Sequence, residues 1–149
     1  VGEARDPETI SASIEAALTG HPVYTTLHSN GVAETLRRLV NSFPADEVKA
    51  RMIDIIETIR VVIWQQLVPS LDGKRIALRE FLIFDEKLRD ILLDSKLENI
   101  SAITRHLLKE YGQPMSLDAK RKFDAGLISE RDYKRLILRT ELTKQHAGS

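Results

Sequence analysis

Val1-Gly2-Glu3-Ala4-Arg5-Asp6-Pro7-Glu8-Thr9, followed by Thr19-Gly20-His21-Pro22-Val23-Tyr24-Thr25-Thr26-Leu27-His28, is the stretch on which the fold turns. Asp6-Pro7-Glu8 is a helix start: Asp6 can accept from the free amides of a first turn, Pro7 fits the first helical position, and Glu8 lies at the positive end of the dipole. Ile10, Ile14, Ala17 and Leu18 then form one apolar stripe, which Gly20 ends. Pro22 to Leu27 is rich in β-branched and aromatic residues and short enough for a buried strand, and Val1-Gly2-Glu3 reads as the end of another. Strand, helix, strand makes a parallel crossover unit, whose catalytic groups gather at strand ends. Because the apolar beginning of that first strand is missing, the chain is expected to be a fragment or processed product. Gly148-Ser149 reads equally as a cloning scar or a natural end.

Working outward, Ser29-Asn30-Gly31 turns the chain into a helix that carries Val32, Leu36, Leu39, Val40 and Phe43 inward and stops at Pro44. A longer helix is expected from Asp46, with Val48, Met52, Ile55, Ile56, Ile59 and Ile63 at helical spacing. Gln65 to Val68 and Arg75 to Phe84 flank Asp72-Gly73, a dipeptide suited to a tight hairpin turn. The rest reads as a bundle of four helices, at about 86–94, 99–111, 117–125 and 130–142. Asp85, Ser116 and Ser129 are candidate N-caps and Gly112 and Gly126 candidate stops. Gly112-Gln113-Pro114 reads as a tight loop rather than a hinge. The expectation is an α/β core over 1–84, parallel strands with an antiparallel hairpin addition, and a carboxy-terminal helical subdomain over 85–149.

The composition excludes several classes. The 149 residues are 42% hydrophobic, and a chain of this length can bury roughly 70% of its unfolded surface. Its 22 basic and 22 acidic residues cancel, so capture of nucleic acid by bulk charge is not expected. Residues 1–73 hold 6 basic and 10 acidic side chains and residues 74–149 hold 16 and 12, a mild asymmetry that two solvated surfaces explain as well as head-to-tail packing of subunits. Cysteine is absent, which removes disulfides and thiolate chemistry and suits a cytoplasmic location. Apolar runs are too short to span a bilayer, and a soluble chain without a signal peptide is expected.

No GxxxxGK[ST] phosphate loop occurs, so the nest and lysine that would hold β- and γ-phosphates must come from outside these residues. Glu3, at a strand end, stands where a carboxylate can reach a magnesium ion or orient a water for attack on phosphorus; it can equally be an ordinary solvated acid. His21 and His28, seven residues apart in an extended segment, fall on opposite faces roughly 23 Å apart at about 3.3 Å per residue. They cannot share one metal ion, which with the absence of cysteine and of HExxH disfavours zinc. His28 would stand near a nucleotide and His21 at the opposite end facing a neighbour, or both would cap loops. Arg37-Arg38 can approach phosphate or solvate an outer helix face, and Arg5 can act on substrate or pair with Asp6 or Glu8. Ser11, Ser13 and Ser29 lack a nucleophile-elbow sequence. Trp64 and Phe81-Leu82-Ile83-Phe84 read as core, and Lys120-Arg121-Lys122 as a solvated helix face.

Together the two opening segments resemble the secretion ATPase superfamily of type II secretion, type IV pilus and type IV secretion motors. The likeness continues through Ala33-Glu34-Thr35-Leu36-Arg37-Arg38 to Phe43-Pro44. It resumes at Leu88-Arg89-Asp90-Ile91-Leu92, which looks like the AIRNLI segment of pilus retraction motors with Lys87 and Asp90 in place of its first and fourth residues, and at Gly126-Leu127-Ile128-Ser129. Gln65-Gln66-Leu67-Val68-Pro69-Ser70-Leu71-Asp72-Gly73-Lys74-Arg75 is most similar to the type IVB (Dot/Icm-type) secretion and plasmid conjugal-transfer ATPase.

The resemblance implies the carboxy-terminal part of a RecA-like ATPase. Glu3 would be its Walker B glutamate, acting with Mg²⁺ through water; His21 and His28 would be the histidine box, with His28 near the γ-phosphate; Arg5 and Arg38 would support them. It further implies ATP as substrate, a homo-hexamer, inner-membrane secretion or conjugation apparatus as partner, and no direct binding of nucleic acid. Without the phosphate loop, the aspartate box and the amino-terminal domain, the chain alone is expected to be inactive. The other functional class is a non-catalytic interaction module that recruits secretion partners through its rear helices.

Overall fold

The structure, a computed structural model, describes residues 1–146; Gly148 and Ser149 lie outside the described residues. The elements are α1 Pro7–Leu18, α2 Val32–Asn41, α3 Val48–Thr58, β1 Val61–Pro69, β2 Arg75–Ile83, α4 Glu86–Leu93, a 3₁₀ turn Leu97–Asn99, α5 Ile100–Tyr111, α6 Met115–Asp124 and α7 Glu130–His146. The class is α/β, with seven helices and one two-stranded antiparallel sheet among the described residues.

Local chemistry sets most boundaries. Asp6 accepts from the Thr9 amide at 2.8 Å and opens α1, and Asp85 accepts from the Leu88 amide at 2.9 Å and opens α4. The Asp132 amide donates to Ser129 Oγ at 3.1 Å ahead of α7. Ser116 instead lies inside α6, whose N-cap position is Pro114 with no side-chain cap of its own. In α1 the buried stripe is Ile10 and Ile14, while Leu18 is exposed.

The helix expected from Asp46 ends at Thr58, and Ile63 belongs to β1 with its side chain exposed. Helical and strand periods coincide over Ile59 and Ile63, and the β-branched run Val61-Val62-Ile63 settles the segment as strand. Strands β1 and β2 pair in register from Val61 opposite Ile83 to Pro69 opposite Arg75. Alternation turns Val62, Trp64, Gln66 and Val68, with Ile76, Leu78, Glu80 and Leu82, toward the helices. Ile83 faces the other way and is exposed, so the apolar run Phe81 to Phe84 is core only in part.

The parallel strands expected around α1 are present as a direction rather than a ladder. The Val1 amine donates to Tyr24 O at 3.0 Å and the Ala4 amide to Thr26 O at 2.8 Å, so the two extended segments run side by side the same way. Neither is a regular strand. Parallel strands are stable when both faces are covered, whereas Tyr24 is exposed and Pro22 has no N–H to give.

Two apolar clusters meet at the hairpin. The larger joins α1 to α5 with Val62 and Leu82; the smaller joins Val68 and Leu78 to Met115, Ala119, Ile128 and Leu136 of α6 and α7. Trp64 packs against both. The outer edge of β2 is closed by the α5–α6 loop and by α6: Phe81 and Gln113 exchange backbone bonds at 3.0 and 2.9 Å, and Asp118 accepts from the Arg79 amide at 2.8 Å. Gly112-Gln113-Pro114 is therefore a loop pinned to the sheet. Lys122, expected on a solvated face, bonds Asp118 and the Ala77 carbonyl, each at 2.7 Å, and is largely buried.

Candidate functional site

The paired extended segments place Glu3 beside His28. Ala4 is buried as the anchor of the first segment, and Thr26 Oγ1 donates to the Gly2 carbonyl at 2.6 Å. Glu3 Oε2 lies 2.7 Å from Arg5 Nη2 and Glu3 Oε1 lies 3.4 Å from His28 Nε2. Arg38, from the last turn of the helix that follows, donates from Nη1 to the His28 carbonyl at 2.6 Å. Four of the five residues singled out by sequence thus form one group. The partner of Arg5 is Glu3 rather than Asp6 or Glu8, because the Asp6 carboxylate is occupied by the Thr9 amide and hydroxyl.

The Glu3 side chain is 26% exposed, against 86% for His28, so the carboxylate is the sheltered member and the imidazole the accessible one. The Arg5 guanidinium, bonded to Glu3, holds its carboxyl below the ordinary 4.5; partial burial opposes this and the charges of Arg5, His28 and Arg38 add to it. Glu3 is consequently a carboxylate at neutral pH, suited to orienting a water or balancing a cation. Both its oxygens already have partners, so it fits a magnesium ion met through that ion's waters, the way Mg²⁺ is commonly held. Among the described residues no group of three or more His, Cys, Asp or Glu side chains is arranged to hold a metal ion.

The loop after His28 is fixed from several directions. Trp64 Nε1 donates to the Ser29 carbonyl at 3.0 Å, the hydroxyls of Ser29 and Thr35 are 2.5 Å apart, and the Val32 amide donates to Glu80 Oε1 at 2.9 Å. Arg105 Nη2 of α5 pairs with Glu34 Oε1 at 3.2 Å. Gly31 has φ +155, a backbone conformation that favours glycine, and a Cβ there would displace the Glu34 carboxylate, 2.7 Å away. Beside it an open cleft of about 420 Å³ is lined by Ser29, Asn30, Glu34, Arg37, Arg38, Asn41 and Ser42.

His21 does not join the group. Its Nδ1 lies 3.1 Å from Thr19 Oγ1 at the far end of the segment. Arg37 lines the cleft and is exposed. Reading by sequence missed Glu80 and the Glu34–Arg105 pair. Glu80 had a signal, being the one acid among the inward positions Ile76, Leu78, Glu80 and Leu82 of an alternating strand.

The family described as "Type II/IV secretion system protein" matches residues 1–89. A curated relative, the "Twitching motility protein" of Neisseria gonorrhoeae, is 36% identical over 130 residues, 87% of this chain and 35% of that protein. The ATPase DotB of Legionella pneumophila superposes with a TM-score of 0.90 at 61% identity, over 93% of this chain and 37% of that one. The pilus retraction motor PilT, solved with bound ADP, superposes with a TM-score of 0.75 at 31% identity, over 89% and 37%. The chain spans about a third of the length of each of these three proteins.

Proposed function

The chain belongs to the type II/IV secretion system protein family, and from that premise we propose that it is the carboxy-terminal part of a hexameric motor that hydrolyses ATP with Mg²⁺ to drive protein export or conjugal transfer. The observation that carries this reading is the Glu3–His28 contact at 3.4 Å between residues 25 positions apart. Two short extended segments hold it, and Arg5 and Arg38 brace it from either side.

Glu3, kept ionised by Arg5, orients the attacking water and balances a hydrated magnesium ion. Bound beside Glu3, Mg²⁺ would neutralise part of the negative charge of the phosphates. His28, exposed at the end of its segment, is free to meet the terminal phosphate of a nucleotide held by residues outside this chain. Arg38 fixes the His28 backbone rather than the nucleotide, and Arg5 sets the charge and direction of Glu3. His21, remote from this group and held by Thr19, faces a neighbouring subunit.

By chain order, residues 1–84 are the rear half of the ATPase core and a carboxy-terminal helical subdomain begins at residue 85, its α4 and α5 packing into the same apolar cluster as α1 to α3. No described helix is long and apolar enough to cross a membrane. The assembly works in the cytoplasm against inner-membrane apparatus proteins, and the chain by itself does not turn over.

The test is kinetic. In the whole protein His28→Ala lowers kcat more than nucleotide affinity, because the imidazole contact strengthens as the γ-phosphate leaves. Equal losses in both would make His28 a ground-state binding group and defeat the assignment.

A further inference from the structure

We propose that Glu80 is a positioning residue that couples the His28 loop to the rear helices, by accepting with its two carboxylate oxygens the first free amides of α2 and α6. This assigns a mechanical role around the site and takes from the preceding reading only that His28 is functional.

The geometry is specific. Glu80 Oε1 accepts from the Val32 amide at 2.9 Å and Oε2 from the Met115 amide at 3.3 Å. Val32 and Met115 are the first residues of α2 and α6, and neither helix has a side-chain cap of its own. Both would otherwise turn unsatisfied N–H groups, and the positive ends of their dipoles, toward the same inward-facing strand position. One carboxylate answers both.

What the two helices carry gives this contact its meaning. Val32 follows His28 by four residues, across a turn also tied by Trp64 to the Ser29 carbonyl, by Arg38 to the His28 carbonyl and by Thr35 to the Ser29 hydroxyl. Met115 opens the helix that Asp118 and Lys122 clamp on the edge of β2, and that stacks on α7 through Phe123 and Tyr133 with ring centroids 4.8 Å apart. A displacement of α6 along its axis therefore moves the amide that Glu80 Oε2 holds. Because Glu80 is fixed in the strand ladder opposite Trp64, the rotation of its carboxylate is felt at Val32.

Alternatives to coupling are local. Were Glu80 only filling space, its two bonds would be independent, and loosening α6 would leave the His28 turn unmoved. The experiment compares four forms of the 149-residue chain by amide hydrogen exchange and NMR: native, Lys122→Ala, Glu80→Gln, and the two together. Lys122→Ala loosens α6 at a point away from the site. With Glu80 present it is expected to shift the Val32 amide and His28 ring signals and to speed exchange at Met115 and Val32 roughly tenfold, the order of one charge-assisted hydrogen bond. In the Glu80→Gln background, where the side-chain NH₂ group cannot accept from a second amide, Lys122→Ala is expected to leave Val32 and His28 unchanged.

Identical shifts in both backgrounds would overturn the proposal, since the signal would then travel elsewhere. Should Glu80→Gln fail to fold by circular dichroism, the Lys122→Ala form decides alone: an unmoved Val32 amide overturns the coupling. None of these readings uses ATP, so a failure here and a failure of the motor assignment are separate results.

Discussion

Replacing Trp64 by Phe should weaken the chain by about 2–3 kcal/mol, a figure assembled from two contacts. The first is the indole N–H donating to the Ser29 carbonyl at 3.0 Å. That bond is partly buried, so its loss is worth about 1–1.5 kcal/mol, the carbonyl recovering some hydration. The second is packing: the indole touches both apolar clusters, and exchanging it for a phenyl ring removes roughly 1 kcal/mol of contact and leaves a small void between them. For a domain of this size the melting temperature should fall by roughly 5–10 °C. Urea unfolding followed by far-ultraviolet circular dichroism is the assay, because Trp64 is the sole tryptophan and its replacement removes the fluorescence signal. The denaturant slope should stay constant. A benzothiophene analogue of Trp64, with sulfur in place of N–H, keeps the shape and isolates the hydrogen bond at about 1 kcal/mol. If both forms unfold within about 0.3 kcal/mol of the native chain, the scatter of such comparisons, then this residue does not tie the site turn to the sheet.

Other expectations follow from neighbouring contacts. Lys122→Met should destabilise by about 2–4 kcal/mol because it leaves Asp118 as a largely buried carboxylate without its cation, and Lys122→Met with Asp118→Asn should fall short of the sum by about 1–2 kcal/mol; strict additivity in denaturation would contradict the pairing. Gly112→Ala should lose about 1–3 kcal/mol, since its Cβ would stand 2.6 Å from the Phe81 carbonyl oxygen and force the Gln113 bridge apart, which faster exchange of the Gln113 amide would report. Burial pushes the Glu80 carboxyl above its ordinary 4.5, against the Val32 and Met115 amides and with repulsion from Glu34 adding. The folded chain then holds this proton longer than the unfolded one, so the Glu80 contribution is complete below 4.5 and is lost as pH rises through the raised value. The difference in stability between native and Glu80→Gln chains should slope that way across mildly acidic pH, and the opposite slope would show that the two amide bonds outweigh burial.

Where local chemistry decides, the sequence was sufficient. Asp6-Pro7, Asp85 and Gly126 mark helix ends because each satisfies a need arising within one turn, and period-two alternation fixes which side of the hairpin is buried. Where distant groups decide, it was not. Ser116 reads as a cap from composition, yet the amide at the start of α6 is served by Glu80, 35 residues away. Lys122 reads as solvated beside Lys120 and Arg121, yet it reaches the Ala77 carbonyl, 45 residues away. Ile63 fits a helical stripe as well as a strand by spacing, and the β-branched run Val61-Val62-Ile63 together with the pairing to Phe81 separates them. At the site the extended segments and their directions were legible, so Glu3 and His28 could be placed at neighbouring ends. The pairing of Arg5 with Glu3 was not read from the sequence, which offered Asp6 or Glu8, because the capping bond that occupies Asp6 is a matter of geometry.

The most direct test of the account is phosphate release by the whole protein at saturating ATP and Mg²⁺, with Glu3 replaced by Gln. The account predicts a fall in kcat of at least about a hundredfold with nucleotide affinity kept within a few-fold, since the change removes the charge that orients water while leaving the shape. Turnover equal to that of the native protein would contradict it.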